Sequence, residues 1–408
     1  LDMVPQKNSD KVHDFENDPI ETHIEDGWVK ANGTTLGADN GVGAAAAMAV
    51  LEATDLEHGP IEALFTIDEE TGMTGAFGLK AGELEGDILL NLDSETEGEL
   101  YVGCAGGIDA TIRFDFKKEA MPSSYSAFEL TVKGMKGGHS GMDIILGRGN
   151  ANKTLFRILK ALEAVDVRLG NINGGSLRNA IPREAFCTIA VPTAKAQEAM
   201  NIVKELEAVV KSELSAVEPD LIITMTEASS CEFVMDTDAA KRVVRAIYAC
   251  PNGVYRMSDS MENLVETSSN LAIVKTDGDQ ILACALLRSS VDTAKADFAE
   301  MMASVIELAG GNIEFAGGYP GWKPNMQSPI LETMTSTYKK MFGRTPKVMA
   351  IHAGLECGLL GGVYKNWDMI SFGPTIQNPH SPDERVNIAS VKLFWEYLTE
   401  TLKNVPTK

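Results

Sequence analysis

TTLGADNGVGAAAAMAVLEA, residues 34–53, decides the fold. Its second part, GVGAAAAMAVLEA (41–53), is Ala-rich with good helix propensity, and an acid, Asp39, stands directly before it. GWVKA and TTLGADN come before the helix. IEALFTI (61–67) and DILLNL (87–92) follow it as candidates for buried strands. From residue 28 to about 105, short apolar strands therefore alternate with a helix, the pattern of an α/β sheet.

At 106 the texture changes. GGIDATIRFDF and SAFELTVKGM read as half-buried antiparallel strands, and LFRILKALEAV carries Leu155, Ile158, Leu159 and Leu162 at helical spacing. A repeat then appears. SLRNAI (176–181), the strand AFCTIAV and a helix opening at Thr193-Ala-Lys-Ala match SSNLAI (268–273), QILACALL and a helix opening at Thr293-Ala-Lys-Ala. The 150–165 helix has its counterpart in AAKRVVRAIYA, with Val243, Val244 and Ile247 inward. Residues 107–318 are thus expected to form one inserted α+β domain of two tandem units. GGYPGWKPNMQSP, rich in Gly and Pro, marks the return to the first domain. The first domain then comprises 1–106 and 319–408, closing with a helix at about 328–342, the strand WDMISFG and a helix near 387–403. A chain of 408 residues suits two domains, because single cores stop growing at roughly 250–300 residues.

With 58 acidic and 36 basic residues the net charge is −22, which would repel phosphate backbones and anionic lipid. Nucleic acid and membrane are therefore not expected partners. No apolar run approaches the roughly 18 residues of a membrane helix. The six cysteines, at 104, 187, 231, 250, 284 and 357, are scattered without a CxxC pair and fit a reducing cytoplasm. The chain opens at Leu1, so any targeting segment would lie ahead of it.

Ligands in open α/β sheets bind beyond the carboxyl ends of strands. Asp39 stands before the Ala-rich helix, Glu69 and Glu70 follow IEALFTID, Asp93 follows DILLNL, and Asp2 would follow whatever strand precedes Leu1. Taken singly, each reads as a cap or turn residue. Together, carboxylates on one sheet edge repel one another unless cations balance them, so metal is the economical reading. Of six histidines, His380 in FGPTIQNPHSPDERV lies in a loop of suitable chemistry. His139 sits between glycines in KGGHSGMD and reads equally well as a turn residue. His13, His23 and His58 lie in polar surroundings and are expected to face solvent; His352 in IHAGLECG has no evident placement. On extended backbone Glu69 and Glu70 would face opposite ways, so one can ligate metal while the other serves as general base. There is no GxSxG elbow, no cysteine signature, no Walker loop and no GxGxxG after a strand.

LDMVPQKN, GTTLGADNG, TIDEETGMTGA, NLDSE, GGHSGMD, SLRNAIPRE, HAGLECG and FGPTIQNPHSPDERV together resemble the aminoacyl-histidine (Xaa-His) dipeptidases. These belong to the co-catalytic zinc metallopeptidases that include carnosinases and tripeptide aminopeptidases. The resemblance spans essentially the whole chain. It implies two divalent metal ions, zinc first with cobalt or manganese as alternatives. Asp39 would bridge them, Glu70 and His380 would complete one site and Asp93 would serve the other. Glu69 would be the general base. Asp2 would orient a histidine two positions before it, so a longer chain with a further segment ahead of Leu1 is expected.

The inserted domain would be the family's lid, its repeat standing in for a lid pair. His139 would stabilise the oxyanion and Asn179 would reach the substrate. Arg288 would hold the peptide carboxylate, with an exposed edge-strand arginine as the plainer alternative, and Glu356 would meet the free amine. The implied substrate is a small peptide, foremost β-alanyl-histidine, and a homodimer is left open. Other dipeptides, tripeptides or N-acyl amino acids would use the same site. A peptide-binding protein without catalysis is the reading from another class, and the presence of Glu69 argues against it.

Overall fold

A computed structural model describes residues 3–406. The chain forms two compact units, one of residues 1–104 with 321–408 and one of residues 105–320.

In the first unit, a mixed four-stranded sheet runs Lys347–Ile351, Glu99–Cys104, Asp368–Ser371, Ile88–Asn91. The outer pairs are parallel, and the two central strands meet antiparallel at Ser371 and Tyr101. Helices Ala38–Glu52, Pro329–Phe342, Glu356–Val363 and Ile388–Asn404 belong to this unit. The Pro329–Phe342 helix has proline at its first turn, where no amide partner is lost, and the Ser328 side chain caps Leu331. Asp368, at the start of its strand, accepts from the amide of Ile330 at 2.9 Å and so ties strand to helix. Tilted and edge-on contacts join Tyr338, Phe372, Phe394 and Tyr397 in this unit. A second small sheet, in the order Thr22–Glu25, Trp28–Ala31, Arg385–Asn387, Ile376–Gln377, is antiparallel throughout.

Three sequence expectations are corrected in this unit. IEALFTI joins no strand ladder among the described residues: Phe65 and Ile67 are half-exposed or more, so the alternation of an extended segment was read as a buried strand. Glu69 and Glu70 lie in a turn, not on extended backbone. His13 is buried, its ring edge-on to Phe15 at 4.6 Å, despite polar sequence neighbours.

The second unit is built on a nine-stranded sheet. In chain order its main elements are β1 (Gly106–Asp115), β2 (Tyr125–Lys133), α1 (Ala151–Leu162), β3 (Arg168–Gly174), β4 (Ala185–Pro192), α2 (Ala196–Glu213), β5 (Ile222–Glu227), α3 (Thr237–Ala249), β6 (Val265–Asp277), β7 (Gln280–Ser289), α4 (Asp292–Leu308) and β8 (Asn312–Tyr319). Along β1, Ala110, Ile112 and Phe114 alternate inward, as a half-buried strand requires. α1 buries Leu155, Ile158, Leu159 and Leu162, and α3 buries Val243, Val244 and Ile247, all in the same core.

Spatially the strands run β5-β2-β4-β3-β6-β7-β1-β8, with Gly253–Met257 added beside β6. Read inward from either end, the order is the same. β2-α1-β3-β4-α2-β5 forms one half, and β1 with α3-β6-β7-α4-β8 forms the other. The repeat of the sequence is thus visible in space, with one addition: β1 precedes the first half in the chain yet pairs with β7 and β8 of the second. The halves join where Val274 and Lys275 pair with Gly174 and Asn173.

Candidate active site

Asp39 stands at the head of the Ala38–Glu52 helix, where it and Asn40 keep non-helical backbone angles and the peptide between them is cis. Asn40 turns its side-chain oxygen to accept from Gly43, starting the helix behind the acid. Glu69 and Glu70 follow Asp68, whose left-handed backbone makes the turn and whose carboxylate accepts from the hydroxyls of Thr71 and Thr74. Asp93 leaves the Ile88–Asn91 strand. Asn91 anchors it by accepting from the Asp93 amide at 3.2 Å and from the Ser371 hydroxyl at 2.6 Å. His380 itself has φ +60° in the 378–384 loop. Gly373 at the head of this loop leaves no room for a side chain, since a Cβ there would fall 1.7 Å from the Ser94 carbonyl oxygen.

These segments converge. His380 Nε2 lies 2.9 Å from Glu70 and 3.1 Å from Asp39, and one ligand atom from each of the three falls within 4.8 Å of the others. Asp93 hydrogen-bonds to Asp39. Burial raises the Asp39 carboxyl above its ordinary range against the pull of His380. Asp93 is raised well above it, by burial and then by the charges of Asp39, Glu69 and Glu356. Glu69 is pushed up to about 7 by burial and then by Glu70, Glu356 and Asp39. Burial likewise raises Glu356.

This donor set suits divalent cations. Half-buried carboxylates that lift one another's pKa are stable as anions only beside positive charge, and an imidazole adds the nitrogen ligand that zinc favours. Asp39, Glu70 and His380 make one three-ligand group, and Asp39 with Asp93 offers oxygens for a second. Asp2 lies outside the described residues.

Two acids in this unit were missed. Glu95, two positions past Asp93, is pushed up to about 7 by burial and then by Asp39. Glu384, four positions past His380, is 2% exposed. Its carboxylate accepts from the amides of Leu36, Gly37, Ala38 and Asp39 at 2.7 to 3.2 Å. Neither stands out from other acids in the sequence, and only the motif that Glu384 shares with His380 could have flagged it.

The inserted unit brings His139, Asn179 and Arg288 near one another. Gly138–His139 pairs with Ala180–Ile181, and the Asn179 carbonyl accepts from Ser140 at 2.8 Å. His139 Nδ1 accepts from the amides of Gly141 and Met142 at 3.2 and 3.1 Å. A ring nitrogen that accepts carries no proton, so the neutral ring holds its proton on Nε2. Burial, then the Arg288 charge, lowers the His139 pKa and keeps it neutral. Buried Glu218 closes the base of this loop by accepting from the amides of Lys136 and Gly149. Arg288 is not on an edge: its strand, β7, lies between β6 and β1, and the side chain is 5% exposed. Nη1 donates to the Tyr319 hydroxyl at 3.0 Å, while Nε has no hydrogen-bond partner among the described residues.

A mixed sheet, an inserted α+β unit and a carboxylate–imidazole cluster are the marks of a metallopeptidase. Residues 1–404 match peptidase family M20/M25/M40, and the chain belongs to that family of peptide hydrolases. It is 48% identical to the cytosol non-specific dipeptidase of Escherichia coli (strain K12), over 100% of this chain and 84% of that protein. The crystal structure of aminoacylhistidine dipeptidase from Vibrio alginolyticus superposes with a TM-score of 0.96 at 50% identity, covering 100% of this chain and 83% of that one. Aminopeptidase PepT from Bacillus cereus, at 17% identity, TM-score 0.57 and coverage of 95% and 76%, shares the fold. No helix among the described residues is long and apolar enough to cross a membrane.

Proposed function

We propose that the chain hydrolyses dipeptides with a free amino end, Xaa-His dipeptides such as β-alanyl-histidine foremost, in the cytoplasm and with two zinc ions. The convergence of Asp39, Glu70 and His380 beside a free carboxylate, Glu69, carries this reading. Cations held by Asp39, Glu70, Asp93 and His380 would polarise the scissile carbonyl and acidify water.

The protein's own groups do the rest. Glu69, which ligates nothing in this scheme, takes the proton of the attacking water and returns it to the leaving amine. Nε2–H of His139 donates to the carbonyl oxygen as charge develops on it. Arg288 pairs with the peptide carboxylate, leaving Nε to a ligand oxygen. Asn179 supports the substrate backbone. Glu356 meets the free amine, and Asp2 orients a neighbouring ligand. Residues 107–318 act as the lid.

A wider range over dipeptides in general has one observation behind it, the likeness to a non-specific dipeptidase of Escherichia coli. Purified protein with Zn²⁺, assayed on β-alanyl-histidine, alanyl-alanine, an alanine tripeptide and N-acetyl-alanine, decides. A kcat/KM highest on the histidine dipeptide supports the narrow reading, equal values on both dipeptides support the wide one, and preference for the acylated amino acid overturns both.

A further inference from the structure

Glu384 is buried and accepts four backbone amides, and no role in the reaction accounts for it. Its two oxygens accept from four consecutive amides. Leu36 and Gly37 donate to Oε2 at 2.7 and 2.9 Å, and Ala38 and Asp39 donate to Oε1 at 2.8 and 3.2 Å. Those amides belong to the segment that ends in Asp39, and Gly37 bends them toward one point with a φ of +74°. Glu384 itself ends the loop of His380, which is closed by its own amide donating to Ser381 O at 2.9 Å and by Asp383 N donating to the Ser381 hydroxyl. One buried side chain thus fastens the loop of one metal-binding residue to the loop of another. Gly37, at the N-cap of the Ala38–Glu52 helix, has no side chain to serve the first amides, and Glu384 takes that place from a distant loop.

An anion in a nest of amides is a strong, directional contact. Burying it beside Asp39 also adds negative charge to a cluster already crowded with carboxylates. A helix start alone would be served by a neutral Ser or Asn at no such cost. We propose that Glu384 is a positioning residue, which gathers the 36–39 amides so that Asp39 and His380 are held in register before any cation arrives. The inference rests on Asp39 and His380 being metal ligands.

Glu384→Gln places an amide nitrogen against two N–H donors and should open the clamp. Zn²⁺ affinity, read by chelator competition, should fall roughly tenfold or more, the usual effect of losing a partner that orients a ligand. Asp368→Asn in the same unit, which removes a carboxylate that accepts from Ser328 and Ile330, is the matched control. It should lower the melting temperature and leave Zn²⁺ affinity within twofold. Equal affinity losses in the two variants, or none in Glu384→Gln, would overturn the proposal.

Hydrogen exchange on the unsubstituted, metal-free protein tests the same point should Glu384→Gln not fold. The 36–39 amides should already be protected and should gain little on adding Zn²⁺. Protection that appears only with metal would mean that the cation organises the loop, and the clamp would be refuted. A chain that binds no Zn²⁺ at all would instead remove the metal reading, while exchange would still report on the clamp.

Discussion

The amide of Met142 donates to Nδ1 of His139 at 3.1 Å. With Gly141 donating to the same atom, the imidazole has one tautomer available in its neutral form, and Nε2 becomes a hydrogen-bond donor that the backbone itself has set.

A donor that meets charge only in the transition state acts on kcat. His139→Ala should lower kcat by two to three orders of magnitude, about 2.7 to 4 kcal/mol of barrier, with KM and zinc content unchanged. Steady-state kinetics with metal analysis checks this. A raised KM at constant kcat would assign the ring to substrate positioning instead.

Glu69→Gln keeps the shape and the ligands but removes the proton acceptor. Turnover should drop by several orders of magnitude while zinc stoichiometry stays the same. Near-normal turnover would take Glu69 out of the role.

Substituting His380 removes the one nitrogen in the three-residue group. His380→Ala should lose at least one zinc equivalent and most activity, measured by atomic absorption on dialysed protein. Unchanged stoichiometry would mean that the ligand is elsewhere.

Arg288 lies on a buried strand, and its Nε has no hydrogen-bond partner among the described residues. Arg288→Ala should raise KM for dipeptides at least tenfold and leave the slower hydrolysis of dipeptide amides nearly as it was, because an amide has no carboxylate to lose. Parallel losses on both substrates would point to packing.

The raised carboxyls also set a pH dependence. Glu69 has a folded pKa near 7 against an ordinary 4.5. A raised carboxyl pKa contributes stability that is present below 4.5 and lost as pH rises through 7. In metal-free protein the urea midpoint of the unsubstituted chain should therefore fall, relative to Glu69→Gln, between those values. Added Zn²⁺ should narrow the gap at the upper end. A difference that does not change with pH would contradict the burial of Glu69.

Much of the fold could be read from the chain. The Ala-rich helix, the strands at Ile88–Asn91 and Asp368–Ser371 and the doubled pattern of the inserted unit all follow from period and propensity, which are local. Asp39 and His380 stood out because an acid before a helix and an imidazole in a proline-rich loop mark where ligands gather, whereas Glu70 was reached by way of a strand that the structure does not form. Glu384 and Glu95 did not stand out. Glu384 matters through the 36–39 backbone it meets across more than 300 residues and Glu95 through the charges buried beside it, and nothing in the neighbouring letters records either. IEALFTI failed for the opposite reason: its local pattern suits a strand, but a ladder needs a partner, and pairing is not a local property.

The crossing of β1 into the far half of its sheet sets an order of events during synthesis. Asp115 pairs with Gln280, 165 positions later, so at roughly 5–20 residues per second the ribosome needs about 8 to 33 s to supply the partner strand. The first half can close as soon as β5 has emerged, while β1, carrying Ala110, Ile112 and Phe114, waits with its edge open. A nascent chain of this protein therefore exposes one sticky strand for most of the making of its own inserted unit, and that interval is where a chaperone would be needed or where misassembly would begin.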